Sequence, residues 1–141
     1  MDFQEYAKFA NENPLCHLAT VEGDQPRVRP LAMWYADKTG FYFETKSVKA
    51  LLQQTANNPK VELCFFSSSE MKVMRAAGTV EIVVDMEARQ RVFQERPRMK
   101  QQGVKSPEDP LLTVFAVRHG EAYFWTMAEN MKEALIERVK F

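Results

Sequence analysis

The spacing of turns constrains this chain more than any other feature. Short runs rich in Val, Phe, Tyr and Thr succeed one another, and tight polar clusters separate most of them. Glu22-Gly23-Asp24-Gln25, Asp37-Lys38-Thr39-Gly40 and Ser67-Ser68-Ser69 are such clusters. The runs between them predict strands over 15–21, 27–36, 41–45, 61–66 and 71–84. Two more, over 111–117 and 122–126, predict a last hairpin around His119-Gly120. Pro26 opens the second strand, where a missing N–H is tolerated, and Gly78 marks a bulge or bend in the long fifth one. Regular strand–helix alternation is absent, which argues against a doubly wound parallel sheet. The expected fold is mainly β with flanking α, an antiparallel sheet of six to seven strands closing into a small barrel with helices at its ends.

Four stretches predict helices. Asp2 caps the first, over 2–12, with Phe3, Tyr6, Ala7 and Ala10 on one face and Asn13-Pro14 as its stop. Ser47 is the expected N-cap of a second helix over 48–56, and Asp85 of a third over 86–95. A terminal helix is expected over 128–139. The polar stretch 98–109, punctuated by Gly103 and Pro107, is the expected long loop and the most mobile segment. No repeat, low-complexity tract or linker interrupts the chain, so residues 1–141 are expected to form one domain.

Composition narrows the function classes. Nineteen basic residues balance nineteen acidic ones, so no overall field for nucleic acid exists. No apolar run approaches the ~20 residues of a membrane span. The first residues lack the basic start and apolar centre of a signal peptide, so a cytoplasmic location is expected. Cys16 and Cys64 lie in apolar runs without metal-ligand spacing and are expected as free buried thiols, with no metal site. No nucleophile–base constellation stands out, and a pocket without side-chain chemistry is what a reactive cofactor requires.

Two stretches combine into a candidate site. In Arg27-Val28-Arg29-Pro30, alternation puts both guanidiniums on one strand face, a row suited to phosphate or equally to solvent. In Thr45-Lys46-Ser47-Val48-Lys49, hydroxyls and ammoniums gather where a helix begins, and free helix N–H groups bind anions. Because the two stretches flank one short hairpin, a shared phosphate cluster is the joint reading. Aromatic residues around it, Trp34, Tyr35 and Tyr42 among them, would suit a flat ring, although core packing explains most of them. Arg98 and Lys100 lie in a segment that either touches an anionic ligand or is simply solvated.

These stretches carry a resemblance. Leu18-Ala19-Thr20 followed by Glu22-Gly23-Asp24-Gln25-Pro26-Arg27-Val28-Arg29-Pro30 is similar to the opening of the pyridoxamine 5'-phosphate oxidase-like flavoproteins. Tyr42-Phe43-Glu44-Thr45 through Lys49, Asn58-Pro59-Lys60-Val61-Glu62-Leu63 and Gly78-Thr79-Val80-Glu81 follow in the family's order. The small branch that includes nitroimidazole-resistance reductases resembles it most. The resemblance implies a split β-barrel homodimer with FMN in clefts at the subunit interface. It implies phosphate contacts from Arg27 and Lys49, helped by Thr45, Lys46 and Ser47. Val28, Arg29 and Pro30 would run along the flavin, Tyr42, Phe43 and Glu44 would lie near the ribityl chain or ring, and Trp125 would approach from the partner subunit. The implied activity is an oxidoreductase passing electrons from a reduced nicotinamide or similar donor to a nitro-aromatic, a quinone or oxygen. A carrier or sensor holding flavin, haem or a deazaflavin is the alternative. Val48 stands where true oxidases often carry arginine, and their C-terminal tryptophan-and-arginine segment is missing, so pyridoxamine phosphate oxidation itself is not expected.

Overall fold

A computed structural model describes residues 2–141. Its centre is one antiparallel sheet with strands β1 (Leu15–Glu22), β2 (Gln25–Ala32), β3 (Tyr35–Asp37), β4 (Gly40–Lys46), β5 (Lys60–Ser67), β6 (Lys72–Val83), β7 (Leu112–Trp125) and β8 (Val139–Lys140). The order across the sheet is β2-β1-β5-β6-β7-β4-β3, with β8 added beside β7. The two outermost strands, β2 and β3, are consecutive in the chain, joined through Met33-Trp34, and the gap between these two sheet edges is the seam. Two main-chain hydrogen bonds extend the flanking ladders up to it: Met33 N–H donates to Pro14 O on the β1 side and Trp34 N–H to Tyr42 O of β4, each at 2.9 Å.

Alternation sends Phe41, Phe43, Phe65 and Phe115 into the barrel, where each is at most 1% exposed. Burying one such ring is worth about 2–3 kcal/mol, so these four carry much of the core. Helix α1 (Phe3–Glu12), capped by Asp2 accepting from Gln4 N–H, closes one end with Phe3, Tyr6 and Phe9. A smaller core of Val92, Met99, Val104, Leu112 and Val114 joins the sheet to α3 (Met86–Glu95) and α4 (Arg98–Gln101). Helix α2 (Ala50–Asn57) covers the β1–β2 side.

Several sequence expectations change. The strand expected over 27–36 divides at Met33-Trp34, because the Met33 amide still pairs on the β1 side while the Trp34 amide already pairs with β4. The hairpin expected at His119-Gly120 does not form, and β7 runs through it as one strand. There His119 takes φ 57° and two residues of β7 face Gly78 of β6 in a bulge. A Cβ on Gly120 would lie 1.7 Å from the Ala77 carbonyl, so only glycine permits this approach. The bulge expected from Gly78 therefore exists, with its extra residue on the partner strand.

The terminal helix expected over 128–139 is replaced by single 3-10 turns at Met127–Glu129 and Glu133–Leu135, followed by β8. Tertiary contacts outweigh helix propensity here. Glu133 is held by Arg75 and Tyr123, and the Phe141 backbone exchanges hydrogen bonds with Gly120. The Phe141 ring stacks 4.7 Å from Phe3. Ser47 does not cap α2, whose N-cap is Lys49 without a side-chain bond. The Ser47 N–H instead donates to Leu111 O at 2.8 Å. Part of the expected long loop is helix α4, and Arg89 pins the remainder by donating to the carbonyls of Pro107, Asp109 and Leu112 at 2.6, 2.8 and 2.9 Å.

Candidate functional site

The barrel seam opens into a cleft of about 670 Å³. Pro30, Leu31 and Ala32 at the end of β2 form one wall. Phe43, Glu44, Thr45 and Lys46 of β4, with Lys49, form the second. Glu95, Arg96, Arg98, Met99 and Gln102 of the α3–α4 segment roof it. That volume lies in the range of small-molecule sites.

Charge is divided along the cleft. At one end Lys46, Lys49 and Arg98 stand near each other. The Lys46 ammonium is held below its ordinary pKa chiefly by burial and then by Lys49, with Arg98 adding to the effect and Glu44 opposing it. Gln102 is the acceptor Lys46 finds in its side chain. Three neighbouring cations with so little compensation have the chemistry that suits an anion.

Further along the same strand face lies Glu44, whose side chain is 13% exposed. Arg96 Nε donates to its Oε1 at 3.1 Å, while the Arg96 terminal nitrogens donate to Ala32 O at 3.1 Å and Met33 O at 3.3 Å. Arg96 thus spans the seam. Glu44 Oε2 is buried without a partner. Burial pushes the Glu44 carboxyl above the usual carboxylate range, against the pull of Arg96. Nearby, Trp34 Nε1 donates to Glu95 at 2.9 Å, and the Arg91 guanidinium lies over the rings of Trp34 and Tyr35.

Of the residues expected at the site, Pro30, Phe43, Glu44, Thr45, Lys46 and Lys49 line this one cleft. The others lie elsewhere. Arg27 pairs with Glu22 at 3.0 Å on the surface, and Val28 is 67% exposed. Arg29 turns beneath α2, donating to Thr20 Oγ1 at 2.8 Å, Gln54 Oε1 at 2.6 Å and Leu18 O at 3.2 Å. Tyr42 is stacked on Tyr35 and hydrogen-bonded to Arg118, and Ser47 is exposed beside the cleft. Arg27 and Arg29, expected to cluster with Lys49, thus lie away from the cleft, where Lys46, Lys49 and Arg98 gather instead. Sequence reasoning flagged the Arg96–Lys105 segment, with Arg98 and Lys100, only as an open alternative, and did not foresee the reach of Arg96 to Glu44. Its signal, an arginine at the end of a capped helix before Pro97, gives no hint of a partner 52 residues away.

Trp125 closes a row on the outer sheet face. Trp125 pairs with Val73, Val73 with Phe66, and Leu15 with Ala32. The pairing of Cys16 with Phe65 puts Leu15 level with Phe66. The row is apolar, with Leu15 77% and Phe66 48% exposed, and begins at the cleft wall. Cys16 is buried and Cys64 half-buried, both as free thiols. No group of metal-binding side chains occurs among the described residues, and no helix among them is long and apolar enough to cross a membrane.

Comparison with known proteins agrees with this architecture. Residues 3–126 match the family described as pyridoxamine 5'-phosphate oxidase. Pyridoxine/pyridoxamine 5'-phosphate oxidase of Rhodopseudomonas palustris (strain BisA53) is 37% identical over 102 residues, 70% of this chain and 47% of that protein. The enzyme of the same name from Bradyrhizobium sp. (strain BTAi1 / ATCC BAA-1182) is 34% identical over 81% of this chain and 56% of its own length. The chain spans about half the length of these curated relatives. Among solved structures, a NimC/NimA family protein from Clostridium acetobutylicum superposes with a TM-score of 0.77 at 25% identity, covering 97% of this chain and 94% of that one. A pyridoxamine 5'-phosphate oxidase-related, FMN-binding protein from Nostoc punctiforme gives 0.73 at 17% identity, covering 91% and 85%. The split barrel is thus the fold, and the chain belongs to the pyridoxamine 5'-phosphate oxidase family.

Proposed function

We propose that this protein binds FMN in the seam cleft and serves as a small oxidoreductase. The observation that carries the proposal is the cleft itself: Lys46, Lys49 and Arg98 gather at one end of a cavity whose β2 wall is apolar. The donor set fits a phosphate, and Pro30, Leu31 and Ala32 of β2 offer an apolar surface for a ring. FMN would supply hydride and electron transfer between a reduced nicotinamide and a small acceptor such as a nitro-aromatic, a quinone or oxygen. The chain's own groups bind and orient. Lys46 and Lys49, with Thr45 and Ser47 beside them, would hold the phosphate, and Arg98 would close over it. Arg29 would act from a distance, by fixing β2 to α2 through Thr20 and Gln54. Arg27 would join the phosphate only after releasing Glu22.

The protein would work as a homodimer. The apolar row Ala32, Leu15, Phe66, Val73, Trp125 supports this, because it runs from the cleft wall across the outer sheet face. A second copy seated there would wall the cleft and cover Trp125. A non-catalytic flavin carrier would share every one of these features, so the test must separate binding from turnover. Protein reconstituted with FMN should be yellow, bleach with reduced nicotinamide and recolour with repeated turnover when acceptor is added. A preparation that ignores added FMN refutes the cofactor reading, and binding without turnover refutes the oxidoreductase.

A further inference from the structure

Helix α2 carries Lys49 to the cleft, and a buried polar junction ties that helix to the sheet. The helix is eight residues long, and its N-cap makes no side-chain bond. About two turns of helix have little stability of their own, so tertiary contacts decide where it lies. Leu51 and, in part, Leu52 pack on the core. Thr55 is also buried, but its hydroxyl turns back to Leu51 O at 2.9 Å and Leu52 O at 3.3 Å within the helix. Gln54 is the buried polar group that reaches the sheet, and it is 7% exposed. Its Oε1 accepts from Thr20 Oγ1 of β1 and from an Arg29 terminal nitrogen of β2, each at 2.6 Å. Arg29 also donates to Thr20 Oγ1 at 2.8 Å and to Leu18 O at 3.2 Å. One helix and two strands thus meet at a single carboxamide oxygen.

Such a junction controls position in a way that apolar contacts do not. Apolar burial is non-directional and lets a short helix slide, whereas hydrogen bonds fix both distance and angle. Lys49 precedes Gln54 by five residues, about 7 Å along the helix axis, so any slide or tilt at Gln54 reaches Lys49. Resting on the FMN reading above, we propose that Gln54 is a positioning residue for the phosphate end of the cleft: it fixes α2 so that Lys49 meets the phosphate, and thereby sets the preference for a phosphorylated flavin over an unphosphorylated one. Arg29 is its anchor on the sheet. The two act on the ligand only through Lys49, since neither lines the cleft.

The test is a double-mutant cycle between Gln54 and Lys49, read as dissociation constants for FMN and for riboflavin by flavin fluorescence titration. Gln54→Met keeps the length of the side chain and removes its acceptor. It should weaken FMN by about fivefold or more and leave riboflavin within about twofold, because riboflavin has no phosphate for Lys49 to meet. In the Lys49→Ala background the same change should weaken FMN by less than about twofold, since the group it positions is gone. Arg29→Met cuts the junction from the sheet side and should repeat the pattern; it takes the place of Gln54→Met if that variant does not fold. Equal losses for FMN and riboflavin show a residue that only holds the fold together, and overturn the inference. A full loss in the Lys49→Ala background, or no loss in either background, overturns it as well. If riboflavin binds too weakly to titrate, the cycle with FMN decides alone. Any of those contrary results from protein whose wild type binds FMN sinks this inference and leaves the cofactor reading standing. Wild-type protein that binds no FMN sinks both together.

Discussion

Lys49→Ala locates the phosphate. Lys49 is the N-cap of α2, exposed at the mouth of the cleft and close enough to Lys46 to lower its pKa. Two unit charges 4 Å apart near a protein surface interact by about 4 kcal/mol, which solvent at an exposed lysine reduces. A hydrogen bond between charged partners is worth about 1.5–3 kcal/mol. Removing Lys49 also relieves its repulsion of Lys46, which then holds its own charge more firmly and recovers part of the loss. The net cost should be about 1–2 kcal/mol, roughly a 5- to 30-fold rise in the dissociation constant for FMN. Fluorescence titration at 25 °C measures it. The wild-type constant should also depend more steeply on salt, since screening acts over about 10 Å at 0.1 M. Arg27→Ala is the decisive control: bound to Glu22 outside the cleft, it should change affinity by less than about twofold. An Arg27→Ala loss exceeding that of Lys49→Ala would move the phosphate to the strand arginines and refute the assignment.

Other consequences follow from the same geometry. Arg89→Met removes three hydrogen bonds to main-chain carbonyls of the segment behind the cleft roof, at a cost of about 2 kcal/mol. Amide exchange at residues 104–112 should accelerate, and wild-type protection there would contradict the pinning role. The Glu81 carboxyl is held below its usual range chiefly by its hydrogen bond from Arg118, with His119 also contributing. A depressed folded-state pKa stabilises above the unfolded value and is lost as pH falls through the folded one. Thermal midpoints of wild type and Glu81→Gln should therefore differ at neutral pH and converge below about pH 4. Phe66→Glu puts a charge into the apolar row and should turn a dimer into a monomer by light scattering; a wild-type monomer would remove the dimer proposal.

Legibility followed the range of the forces. Caps act within a few residues, and both Asp2 and Asp85 accept from the first-turn amides as their positions imply. The Glu22–Gln25 turn and the Gly78 bulge were equally readable, because turn chemistry and glycine freedom are local properties. The cationic end of the cleft was half legible. Lys46 and Lys49 announced themselves beside a helix start, whereas Arg98 entered from a stretch whose composition fits plain solvation.

The sequence by itself determined the rhythm of strands and turns, the antiparallel barrel and the membership of a flavoprotein-like family. Tertiary structure alone decided which charges share a cavity. Arg29, similar to Arg27 in the chain, is drawn beneath α2 by Thr20 and Gln54, while Arg96 crosses the seam to Glu44. It also decided that the chain's end returns as β8 rather than as a helix, since stacking Phe141 on Phe3 buries more than an exposed helix would. The physical reason is common to all three: a long side chain takes the best partner within reach, and only the folded sheet with its helices brings those partners near.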